Sequence, residues 1–398
     1  MIQEDNMKSI NKIVASLIAG IITMSSAVTL AEPIPIRGVV EGFYGTPWTQ
    51  ENRIDMLDFC GSHGFNAYIY APKDDPYHRA KWREPYPQDK LNELAELINE
   101  AKSNNVKFIF AVSPGLDLRY DEDEQNAMIA KLTAMYDLGV RDFAIFFDDI
   151  DNMDGGAQAQ FLNIIQDKFV NSHNDISPLI TVPTEYYRLK MIDDDGRKPY
   201  TSNFSKTLSP DIIVLYTGEG VVKPELTDEQ YKAANDIYER DLGIWWNYPV
   251  NDYIEDKLAL GMIEKLPRHS NIPAIFFNPM KYEQLSKIAL ATGADYANDP
   301  QNYNPDNSWN TAIEEQFGDL AAEMKLFASY SQHLEKNDWA KIGRPNAELP
   351  KSANELKTLK KALKRLKSKL PANILAECQP QLEELEHRVD NALREVSK

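Results

Sequence analysis

The chain has 398 residues, 26% charged and 43% hydrophobic, with 43 basic against 61 acidic side chains and a formal net charge of -18. A polyanion binder needs a basic surface that displaces counterions from phosphates, so this balance argues against nucleic acid as a partner. The apolar fraction supports a buried core and excludes wholesale disorder, and the length suits two or three ordinary domains or one large barrel with an appendage.

Near the N-terminus Lys8 and Lys12 precede an apolar run at residues 13–22, followed by small residues as far as Ala31. A basic start, a short apolar run and small or hydroxyl residues at Thr29 and Ala31 predict an export signal cleaved after Ala31. The run is shorter than the ~20 residues of a membrane span, so the expectation is a periplasmic or secreted protein with no membrane attachment after cleavage. Cys60 and Cys378 are the only cysteines. They are too few for a disulfide framework, and the sequence leaves their pairing open.

From residue 32 onward, strand-like apolar runs alternate with helix-like segments, the pattern of a parallel sheet covered by helices. The runs lie at 36–40, 67–71, 108–112, 143–147, 179–182, 212–216, 244–246 and 274–277. Among the helix candidates, 90–104 keeps Leu91, Leu94, Ala95 and Ile98 on one face, and 123–138 opens with acidic residues suited to a helix N-terminus. Eight strand-helix units predict a (β/α)8 TIM barrel over residues 32–305. A doubly wound open sheet would want a Gly-rich phosphate turn after its first strand, and none is present.

After Pro305 the pattern becomes helical, so residues 306–398 are expected to form a C-terminal α-helical domain. Leu356, Leu359, Leu363, Leu366 and Leu370 alternate spacings of three and four, Leu382, Leu385, Val389 and Leu393 nearly do, and Pro371 stands between the two sets. This predicts a helical hairpin in a small bundle with the segment 309–334. The basic run Lys360, Lys361, Lys364, Arg365, Lys367 and Lys369 reads as a solvated face. For the tail as a whole, a homodimer contact and a wall beside a substrate cleft both stay open. Because the tail is nearly neutral, the acidic excess belongs to the barrel, which suits an anionic polymer such as hyaluronan poorly.

Active sites of this fold sit where the strands end, and each strand end here is chemically unusual. In order they read Glu41-Gly42-Phe43-Tyr44-Gly45, Pro72-Lys73-Asp74-Asp75, Ser113-Pro114-Gly115, Asp148-Asp149, Thr184-Glu185-Tyr186, Thr217-Gly218, Asn247-Tyr248-Pro249 and Asn278-Pro279. The sharpest is Asp148-Asp149, because like charges held together raise the pKa of at least one carboxyl, as a general acid requires. Asp151 and Asp154 follow closely, yet Met153 stands where a calcium loop needs Asp or Asn, and no His pair has zinc-binding spacing. No metal or other cofactor is expected.

Paired carboxylates suggest glycoside hydrolysis, but an ordinary retaining pair lies about 5 Å apart on opposite sides of the bond. Neighbours on one strand end approach a sugar from one side. That favours the substrate-assisted route, in which the sugar's own 2-acetamido oxygen is the nucleophile. One Asp would hold the acetamido N–H and the other would protonate the leaving oxygen, which points to an N-acetylated hexosamine.

Three stretches carry a family resemblance: Arg37-Gly38-Val39-Val40-Glu41-Gly42-Phe43-Tyr44-Gly45, Tyr70-Ala71-Pro72-Lys73-Asp74-Asp75-Pro76-Tyr77-His78 and Phe146-Phe147-Asp148-Asp149-Ile150. They closely resemble the motifs of glycoside hydrolase family 84, the family of bacterial and animal O-GlcNAcases and of the so-called clostridial hyaluronidases. Thr184-Glu185-Tyr186, Trp245-Trp246-Asn247-Tyr248-Pro249-Val250-Asn251-Asp252 and Phe277-Asn278-Pro279 continue the match in the same order over about residues 36–296. The resemblance implies a retaining β-N-acetylglucosaminidase that works through an oxazoline on GlcNAc-bearing proteins, peptides or glycans.

By the same resemblance, Asp148 would orient the acetamido group, and Asp149 would be the general acid and later the base. Tyr186 would hydrogen-bond near the oxazoline, Asn247 would contact the acetamido oxygen, and Trp245 would wall that pocket. Asp252 would bind the 4- and 6-hydroxyls, with Gly42, Lys73 and Asn278 fixing others. Trp246, Phe146 and Phe147 are expected in the core by strand alternation, and Gly45 and Pro47 as turn formers. Tyr44, Tyr77 and Trp82 are candidates for stacking on sugar or aglycone. There is too little chain before Ile36 for the extra N-terminal domain of larger bacterial members, and no room after the barrel for the acetyltransferase-like region of animal ones. A sugar-binding protein without catalysis is the competing class, and the intact acid pair argues against it.

Overall fold

The computed structural model describes residues 32–151, 154–254, 258–331 and 348–396. The predicted export signal lies outside the described residues. Each predicted apolar run becomes a strand within one residue at either end: β1 (Ile36–Glu41), β2 (Ala67–Tyr70), β3 (Lys107–Val112), β4 (Asp142–Phe146), β5 (Ile180–Val182), β6 (Ile213–Tyr216), β7 (Gly243–Trp246) and β8 (Ala274–Phe277). All pair in parallel, and β1 closes the barrel by pairing with both β2 and β8.

Alternation along each strand sorts side chains between two cores. Val40, Ile69, Ile109, Ala144, Phe146, Leu215, Trp245 and Phe276 fill the barrel interior. Val39, Tyr68, Phe110, Phe147, Tyr216, Trp246 and Phe277 point outward into the layer beneath the helices. Trp246, Phe146 and Phe147 are therefore packing residues, as expected.

The covering helices are α1 (Gln50–Ser62), α2 (Gln88–Ser103), α3 (Glu122–Leu138), α4 (Gly155–Lys168), α5 (Pro199–Thr207), α6 (Asp228–Tyr238) and α7 (Glu283–Asn298). Their starts follow the sequence chemistry. Thr49 and Thr227 form capping boxes on α1 and α6, while Asp121 and Asp154 accept from backbone N–H groups of α3 and α4. Asp154 thus serves as a helix cap. A short helix at Arg188–Met191 and a two-stranded ribbon (Ile192–Asp193 with Gly196–Arg197) intervene between β5 and α5. One unit departs from the expected eight: between β7 and β8 the described residues form no helix. Residues 247–273 carry Pro249, Pro267, Pro273 and Gly261, and prolines within a helix break its hydrogen bonding.

Beyond the barrel come α8 (Pro305–Phe317), α9 (Ala321–Ser331), α10 (Ala353–Lys369) and α11 (Ala372–Val396). Within the segment expected to join the bundle, the described residues form two helices, because Gly318 takes φ 50° and ends α8. The hairpin forms as predicted. Leu356, Leu359, Leu363 and Leu366 of α10 and Leu382, Leu385 and Val389 of α11 are buried. Part of the basic run is paired, through Lys360 with Asp390, Arg365 with Glu323 and Lys367 with Glu386. On the other side of α11, the Glu377 carboxylate accepts from the Gln284 and Leu285 backbone N–H groups at 3.0 and 2.8 Å, capping α7. Cys60 and Cys378 are buried free thiols and do not pair. No helix among the described residues is long and apolar enough to cross a membrane.

Candidate active site

Continuing the inward alternation past the strand ends carries Val40 to Gly42, Ala71 to Lys73, Phe146 to Asp148, Trp245 to Asn247 and Phe276 to Asn278. All five destinations line one cavity of about 640 Å³, together with Asp149, Tyr186, Trp245 and Asp252. The nine residues singled out from the sequence therefore share one wall-to-wall space, although they span Gly42 to Asn278 in the chain.

At the cavity floor, the Lys73 ammonium is hydrogen-bonded to Asp148 Oδ2, with both side chains almost wholly shielded from solvent. Lys73 also lies 5.9 Å from the Trp245 ring and 5.7 Å from the Tyr44 ring. Burial alone would raise the Asp148 carboxyl, but the Lys73 charge and hydrogen bond outweigh it and hold the group below the ordinary carboxylate range. Asp148 is therefore not a raised member of the pair: the nearer cation decides its sign. Asp148 Oδ1 is buried without a hydrogen-bond partner.

Asp149 goes a different way. Its backbone adopts φ 51°, a left-handed conformation that Asp tolerates better than most residues, and its side chain is exposed at the cavity mouth. There Oδ1 accepts from the Tyr186 hydroxyl and Oδ2 from the Tyr44 hydroxyl, each at 2.8 Å. Burial, followed by the charge of Asp149, pushes both phenols well up, so they stay protonated donors. Arg79 braces the pair, reaching the Tyr44 hydroxyl and the Asp149 carbonyl at 3.2 Å.

The remaining polar groups form a second network. Asn247 Oδ1 accepts from Trp245 Nε1 at 2.8 Å and from Asn278 Nδ2 at 3.0 Å, and Asn247 Nδ2 donates to the Val221 carbonyl. Asn278 Oδ1 accepts from the Gly42 N–H at 3.3 Å. Glycine is required at 42 because a Cβ there would sit 2.4 Å from the Trp245 ring. Asp252 accepts from the Tyr44 N–H at 2.8 Å, and burial, then Asp149, raises its carboxyl.

Of the stacking candidates, Tyr44 lines the cavity. Trp82 is fully buried with Arg83 stacked on it, and Tyr77 packs on Tyr86, so neither reaches the cavity. Sequence reasoning missed the rim residues Tyr187, Leu189, Val221, Lys223 and Tyr253, while Thr217, at an expected strand end, does line it. Leu189 and Val221 are 53% and 44% exposed, on the short helix Arg188–Met191 and on the loop after β6, which the Arg188–Glu219 ion pair clasps together at 2.5 Å. Exposed apolar tips next to a strand end are the signal that could have marked them. Among the described residues none after Asn278 lines the cavity, so the helical tail gives it no wall there, and no group of three or more His, Cys, Asp or Glu side chains is placed to hold a metal.

The chain is similar to several known proteins. A family model described as beta-N-acetylglucosaminidase matches residues 37–329. The chain is 33% identical over 272 residues to Protein O-GlcNAcase of Mus musculus, covering 65% of this chain and 29% of that protein, and the Rattus norvegicus protein of the same name matches equally. The chain thus spans under a third of the length of the curated relatives it matches. Among solved structures, CpGH84B superposes with a TM-score of 0.86 at 40% identity, covering 92% of this chain and 69% of that one. A mutant O-GlcNAc hydrolase of Thermobaculum terrenum gives 0.79 at 31%, covering 90% and 82%. With a parallel barrel, a continuous family match and the motif residues gathered in one cavity, the chain belongs to glycoside hydrolase family 84, the beta-N-acetylglucosaminidase family.

Proposed function

We propose that the protein is a retaining β-N-acetylglucosaminidase that removes terminal β-linked GlcNAc from proteins, peptides or glycans by substrate-assisted catalysis. The observation that carries this reading is the contrast between two neighbours. Asp148 is a buried carboxylate held ionised by Lys73 with one oxygen unpartnered, and Asp149 stands at the mouth on two phenol hydroxyls. An ionised, immobile carboxylate suits the acetamido N–H, while a carboxyl at the mouth suits proton traffic with the leaving group.

In the first step the acetamido oxygen attacks the anomeric carbon as the bond to the leaving oxygen breaks. The protonated Asp149 gives that oxygen its proton, and Asp148 accepts from the acetamido N–H and balances the positive charge of the oxazoline. In the second step Asp149, now a carboxylate, takes a proton from water as the water adds to the anomeric carbon and opens the ring. Two inversions retain the configuration. Trp245 and Asn247 wall the acetamido group, and Asp252, Lys73, Asn278 and the Gly42 carbonyl fix hydroxyls. The acidic barrel favours uncharged or cationic aglycones over hyaluronan, and the basic and apolar residues 8–31 support export.

The test varies the nucleophile. On 4-nitrophenyl β-glycosides, one, two and three fluorines on the N-acetyl group withdraw electrons from its oxygen, and kcat/KM should fall steeply with each. A flat response would sink the acetamido mechanism.

A further inference from the structure

The loop after β2 must hold an ammonium group against a buried carboxylate, a pairing whose desolvation cost is offset only when the geometry is fixed. Two anchors fix it. Two residues after Lys73, Asp75 Oδ2 accepts from the Tyr70 and Tyr86 hydroxyls at 2.9 and 2.8 Å. The other anchor is His78, whose side chain is fully buried. Its Nδ1 lies 2.8 Å from the Ala111 carbonyl oxygen on β3. The Ser113 N–H, just past the end of β3, donates to the His78 carbonyl at 2.8 Å. One residue is thus tied to β3 through both its ring and its backbone.

We propose that His78 is a positioning residue, whose imidazole latches the Lys73 loop to β3 and so holds Lys73 on Asp148. A carbonyl oxygen only accepts, so Nδ1 carries the proton in this contact. Burial, with Lys73 close by, pushes the imidazole down to about 4, while Asp75 and Asp148 act the other way. The latch is therefore neutral at ordinary pH, which matters because an imidazolium would repel the Lys73 ammonium. With the imidazole neutral, the charges acting on Asp148 are Lys73 first, then Arg79. Loosening the latch withdraws the largest of these, so its effect is read at the ionisation of Asp148.

This inference rests on the glycosidase reading, and the acid limb of kcat/KM for 4-nitrophenyl β-N-acetylglucosaminide tests it. His78→Asn places an amide nitrogen where Nδ1 stands, and His78→Gln places one where Nε2 stands, out of line with Ala111. The Asn variant should keep the wild-type acid limb. The Gln variant, folded by circular dichroism, should show an acid limb moved up by about one pH unit, with kcat/KM down by up to about tenfold on that limb and little changed near neutral pH. If His78→Gln does not fold, His78→Phe, which fills the ring's space without a donor, takes its place. A folded Gln or Phe variant with an unmoved acid limb, or Asn and Gln variants shifted alike, would overturn the latch. A wild-type protein that does not cleave the glycoside overturns the functional reading instead.

Discussion

The Tyr186 hydroxyl donates to Asp149 Oδ1 at 2.8 Å, across the ends of the adjacent strands β4 and β5. Burial and the charge of Asp149 keep the phenol protonated, so the bond persists over the working pH range. A charge-assisted hydrogen bond of this kind contributes roughly 1.5–3 kcal/mol. Tyr186→Phe should therefore lower kcat by roughly ten- to a hundredfold with little change in Tm. A variant that retains wild-type kcat would remove Tyr186 from the handling of Asp149.

Asp149→Ala should cripple cleavage most where the leaving group is poor, because acid catalysis matters least for a leaving group that is already acidic. A series of aryl β-N-acetylglucosaminides of graded phenol acidity measures this. The slope of log kcat/KM against leaving-group pKa should steepen in the variant, and equal loss along the series would reassign the general acid.

Gly42→Ala forces a methyl group to within 2.4 Å of a Trp245 ring already held by Asn247 and packed edge-on against Phe146. The ring must shift, at a strain cost of about 1–3 kcal/mol. The acetamido wall moves with it, so kcat/KM should drop at least about tenfold while circular dichroism stays native. An unchanged kcat/KM would show that the ring position is not part of the site.

Glu377 supplies a pH dependence of stability. Burial pushes its carboxyl up to about 7, against the two N–H groups of α7 that it caps, which pull it down. A carboxyl raised in the folded state binds its proton there while the unfolded chain has released it, so its contribution is complete below about 4.5 and is lost as pH rises through 7. Over that window the group should cost up to about 3 kcal/mol of stability. Glu377→Gln, which keeps an acceptor and does not titrate, should flatten the fall in Tm between pH 5 and pH 8. An identical slope in both proteins would place the titrating group elsewhere.

Strand alternation and strand-end chemistry made the barrel and the cavity floor legible before any coordinates. Gly42, Lys73, Asp148, Asn247 and Asn278 each stand two residues beyond an inward-facing side chain. What stayed hidden depended on long-range contact. The ionisation of Asp148 was read from its covalent neighbour, whereas the group that controls it is Lys73, 75 positions away. Among the described residues no helix follows β7 before β8, and that irregular stretch supplies Asp252. Rim residues such as Leu189, on a four-residue helix, and Val221, on a loop, sit in stretches too short for periodicity to betray them.

The cap that Glu377 places on α7 orders events at the ribosome. The carboxylate is synthesised 92 positions after Leu285, one of the two donors it satisfies. Until α11 emerges, the last covering helix of the barrel has only water for those N–H groups. The C-terminal hairpin is in this sense the final stave of the barrel, and truncation there exposes a helix end that belongs to the catalytic half of the chain.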